Sequence, residues 1–80
     1  MNIDLARDVA RTAFQSSRQL GDLLPTLKER LNPDEYQAYA KAIASAIAAI
    51  QLDLVNKVLA DHPGLEAEIE ASIAKHGRYI

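Results

Sequence analysis

Eighty residues, 49% of them apolar and 25% charged, make one domain, 1–80, with a modest core, because a chain this short buries only about 60–65% of its unfolded surface. The net charge of −2 is too small to name a nucleic acid or any charged partner, and the lack of cysteine removes disulfides, thiolate metal sites and thiol nucleophiles, so a reducing cytoplasm is the expected setting. Met1 to Ala10 carries Asp4 and Asp8 and reads as no signal peptide; the longest uncharged stretch, Ala42 to Leu52, is about half a bilayer span, so no membrane role is expected.

The pattern predicts a first helix over about 3–23. At about 100° per residue Leu5, Val9, Ala13, Ser16, Leu20, Leu23 and Leu24 fall within one arc, which is expected to face the core. Arg7, Arg11 and Arg18 mark the other side, with Phe14 at the boundary. Asp4 and Asp8 stand three residues before Arg7 and Arg11, so the stripe reads as an ion-paired, solvated face and not as a nucleic-acid surface. Gly21 and Pro25 then break the pattern, which predicts a kink at 21–25 and a helical extension to Leu31.

Asn32-Pro33-Asp34-Glu35 offers an N-cap, a proline at the first helical position and a glutamate completing a capping box. A long helix over 33–60 follows, roughly 42 Å at 1.5 Å per residue. Tyr36, Ile43, Ile47, Ile50 and Leu54 make one apolar row, with Ile47 and Ile50 expected in the main core. Leu52, Val55 and Leu59 make a second row beside it. Two rows ask for two sets of partners, and the rest of the chain is too small to supply both. Leu52, Val55 and Leu59 are therefore expected at a subunit interface of a homodimer, or at the docking site of the third helix. Alanines at four-residue spacing, Ala38, Ala42 and Ala46, suit close approach of another helix and equally suit plain helix propensity.

Asp61-His62-Pro63-Gly64 ends the long helix, and a third helix is expected over 63–76, with glutamates toward its start and Lys75 and His76 at its end. Gly77 stops it. Tyr79 and Ile80 are expected to fold back over that end, because contiguous exposed apolar groups are costly.

Chemistry is sparse. His62 and His76 lie at opposite ends of the third helix, about 20 Å apart, and cannot share a metal. Glu66, Glu68 and Glu70 read as a solvated, dipole-favoured surface, and no nucleophile elbow or phosphate-cradling loop occurs. Neither catalysis nor a cofactor is expected. The pattern points to an all-α fold: an antiparallel helical hairpin with a shorter third helix, completing a bundle by dimerisation. The expected function is protein–protein interaction, as an adaptor, inhibitor or assembly factor. The alternative is a helical pocket for a small apolar ligand, lined by Phe14, Tyr36 and Tyr39.

Overall fold

A computed structural model describes residues 1–80, and the chain is all-helical, without a strand. Three helical arms follow one another. The first is α1 (Ile3–Asp22) with its extension α2 (Leu24–Arg30). The second is one continuous helix, Pro33–Asp61, divided into α3 (Pro33–Ala49), a π turn (Ile50–Val55) and α4 (Asn56–Asp61). The third is α5 (Leu65–His76).

Local chemistry sets these boundaries. Asn2 Oδ1 accepts the Leu5 amide at 2.8 Å and caps α1. The chain leaves helical bonding only at Leu23, whose amide is shared between the Leu20 and Gly21 carbonyls. Pro25 then sits in the first turn of α2, where a missing N–H leaves nothing unsatisfied. Asn32 Oδ1 accepts the Glu35 amide at 2.9 Å, and its side-chain amide donates back to the Glu35 carboxylate. The third helix begins at Leu65, not at Pro63. Residues 62–65 form a tight turn in which the Leu65 amide reaches the His62 carbonyl at 3.0 Å.

The core gathers where α1, the end of the long helix and α5 meet. Ala6, Ala10, Val58, Leu65, Ile69 and Tyr79 are buried together, with Val9, Phe14 and Leu59 packed against them. The buried line of α1 is therefore Ala6, Ala10 and Ala13, rotated by roughly 60° from the arc through Leu5 and Leu23. Leu5 and Leu23 stay 52% and 50% exposed. The close line is alanine because a small side chain lets the helix axes approach, which the size of the leucines would prevent.

The π turn revises the two-row reading of the long helix. The Asn56 amide bonds to the Gln51 carbonyl, five residues back, so this turn holds one residue more than an α-turn. One extra residue slips the side-chain phase by about 100°. The slip carries Val55 into line with the row of Ile43, Ile47 and Ile50. Val55 is 1% exposed and Leu59 is half-buried, both inside the chain, and Leu52 alone of the second row remains out, at 64%. The apparent two rows are one row joined across a phase shift. Of the first row, Ile47 and Ile50 are only half-buried; the buried positions of the joined row are Ile43 and Val55.

Candidate functional site

α1 packs along α3, the π turn and α4, and α2 packs on α3. α5 and the residues after it seal one side of α1. The other side is bare.

On that bare side a groove of about 340 Å³ runs between α1 and the long helix. Val9, Thr12, Ala13 and Ser16 line it from α1, and Ile50 and Leu54 line it from the π turn; Asp8 is its one charged residue. The line continues along α1 in both directions. Leu5 and Leu23 stand five full helical turns apart, about 27 Å, on the same edge as Val9, Thr12 and Ser16. Leu54 is 41% exposed. The groove exists because its α1 wall is small (Thr12, Ala13, Ser16) and because the π turn pulls Val55 inward and leaves Leu54 at the rim.

The sealed side is held by a polar and aromatic cluster. Gly77 adopts φ +76°, a left-handed conformation in which glycine carries no Cβ penalty, and reverses the chain after α5. Ser72 Oγ then donates to the Arg78 carbonyl at 3.3 Å and accepts the Ile80 amide at 3.1 Å. The turn puts Tyr79 edge-on to Phe14, with ring centroids 6.0 Å apart, and under the Arg11 guanidinium at 5.4 Å. Burial, then the bond to Glu68, pushes the Tyr79 phenol above its ordinary pKa. Arg7 binds Glu68 through Nε at 2.9 Å and Asp4 through a terminal nitrogen at 2.9 Å, and the Glu68 bond raises its pKa further, so it stays charged. Ile80 is exposed. A second concavity, of about 310 Å³, lies beside this turn between Phe14, Arg18, Ile73 and Arg78.

No family model, curated protein or solved structure matches this chain.

The three aromatic residues expected to line a ligand pocket are not brought together: Phe14 lines the concavity beside the tail, Tyr36 is half-buried on α3, and Tyr39 is exposed there. Leu52 faces outward beside the exposed Ala38, Ala42, Ser45 and Ala49. No group of three His, Asp or Glu side chains converges on a point. Pro33–Asp61 is by length and composition apolar enough to cross a bilayer, with mean hydropathy 1.5 in its most apolar window, and only 11% of that window is buried inside the chain. Sequence reasoning does not single out Val9, Thr12, Ser16 and Leu54 as a site, and it assigns three of them to core rows. The five-turn spacing of Leu5 and Leu23 is the available signal, and only the Ala6–Ala10–Ala13 line tells which side of it is covered.

Proposed function

We propose that this chain is a small cytoplasmic association module that works as a homodimer. Its building block would be the antiparallel hairpin of α1 and the long helix. The supporting observation is its surface. A compact protein of 8.8 kDa exposes about 4,800 Å², and this chain exposes 5601 Å². The surplus, about 800 Å², equals one partner's share of a standard protein–protein interface. The shape agrees: the radius of gyration is 14.8 Å, against about 11.6 Å for a compact chain of this length. Helices laid side by side, in a body 45 × 25 × 15 Å, leave a broad face that one more layer would cover.

Light scattering across a concentration series tests this. A mass of about twice 8.8 kDa that halves on dilution is expected. A monomer at every concentration overturns it. The second reading, a site for a small apolar ligand, draws on the groove, whose 340 Å³ lies at the low end of small-molecule sites. A rise in melting temperature with a lipid-like or aromatic compound favours that reading.

A further inference from the structure

We infer that the partner of the bare groove face is a second copy of this chain, seated two-fold across Val9, Thr12, Ser16, Ile50 and Leu54 so that two helix pairs close into a four-helix bundle. This rests on the association reading above and assigns it a surface.

Four observations carry the assignment. The surface surplus matches the area that each copy contributes to a stable dimer. The face is complementary to itself: a shallow centre of Thr12, Ala13 and Ser16 lies between raised leucines, Leu5 and Leu23 on α1 and Leu54 on the long helix. Rotated by a two-fold axis, the leucines of one copy meet the small residues of the other, which is how helix ridges fill helix grooves at 8–10 Å separation. The opposite side of α1 is already occupied, because α5, Tyr79 and the Arg7–Glu68 pair cover it, so only the groove side can receive a layer along its length. The groove walls hold one charged residue, Asp8, whose carboxylate is 3.4 Å from Arg11. An apolar centre with a charge at its margin is the composition of an interface core and rim.

The test compares three single variants of the full chain by light scattering and circular dichroism. Leu54→Glu and Leu5→Glu place a carboxylate on the groove face at sites already exposed to water, so the monomer fold tolerates them. Leu52→Glu places one on the outward, alanine-rich side. The expected result is that Leu54→Glu and Leu5→Glu give helical monomers, with the dissociation constant raised on the order of a hundredfold, while Leu52→Glu stays dimeric like the parent. If the parent is dimeric and Leu52→Glu alone disrupts it, or all three do, the assignment to this face falls while the association reading stands. If Leu54→Glu fails to fold, Leu5→Glu, whose side chain is 52% exposed, decides by the same criteria. A parent that is monomeric throughout removes both readings. A monomeric parent that binds neutral phosphatidylcholine vesicles puts the apolar face against lipid and overturns the proposal.

Discussion

The Tyr79 phenol donates a 3.0 Å hydrogen bond to Glu68 Oε2, and the same carboxylate receives Arg7 Nε at 2.9 and 3.1 Å from 61 residues earlier in the chain. One carboxylate thus ties the tail and the first helix to α5. The other bonds between side chains, Arg7 to Asp4, Arg11 to Asp8 and Asn32 to Glu35, each link residues three apart and hold no two arms together.

Tyr79→Phe keeps the ring against Phe14 and removes only the phenol, so urea denaturation at neutral pH should show a loss of about 1 kcal/mol. The effect depends on pH in a definite sense. Because the folded state raises the phenol's pKa, its contribution is complete below the ordinary tyrosine value of about 10 and is lost as pH rises through the higher folded value. Parent and variant should converge in stability above about pH 10. A gap that stays constant into strong alkali would show that the phenol is not shielded.

Gly77 and Gly21 should respond oppositely to alanine. A Cβ at either meets nothing within 4 Å, so sterics with neighbours do not decide. Gly77 holds φ +76°, and Gly77→Ala should cost about 1 kcal/mol and loosen the tail. Gly21 is inside α1, and Gly21→Ala should stabilise by about 0.5–1 kcal/mol. Thermal melts of the two variants should shift in opposite directions.

Asn32→Ala deletes the cap on the Glu35 amide and should cost about 1 kcal/mol. Asn32→Asp keeps an acceptor at that position and should recover most of the loss, which chemical denaturation can measure.

Leu65, 1% exposed in the central cluster, should lose about 3 kcal/mol on truncation to alanine. Leu52, mostly in water, should change by less than about 0.5 kcal/mol. A comparable loss at both would mean that Leu52 is covered by a partner.

What the sequence reveals is local. Asn32 with Glu35, and Gly77 after a row of helix formers, each write their structure within four residues, so helix number and ends are legible. The facing of the helices is not. On α1, hydropathy ranks Leu5 and Leu23 above Ala6 and Ala10, but close axial approach favours the alanines, and only the packed structure settles which matters. On the long helix a constant 100° step separates Val55 from Ile47 and Ile50. No residue signature marks a π turn, because the gain that goes with it, burial of both Val55 and Val58, depends on other arms: α1 packs on the turn, and α1 and α5 surround Val58. The candidate face inherits both effects: Val9 and Leu54 read as core until the turn and the alanine line move them to the margin.

The π turn also fixes how the gene can change in length. Because the turn absorbs one residue beyond an α-helical register, removing a single codon between Ile50 and Val55 would restore a uniform helix with Val58 and Leu59 still turned toward α1, whereas tightening the turn to α geometry at full length would swing them about 100° away. A descendant one residue shorter in this stretch would keep the same core with its α4 residues unchanged. Aligned to this chain without a gap, it would look unrelated beyond residue 50.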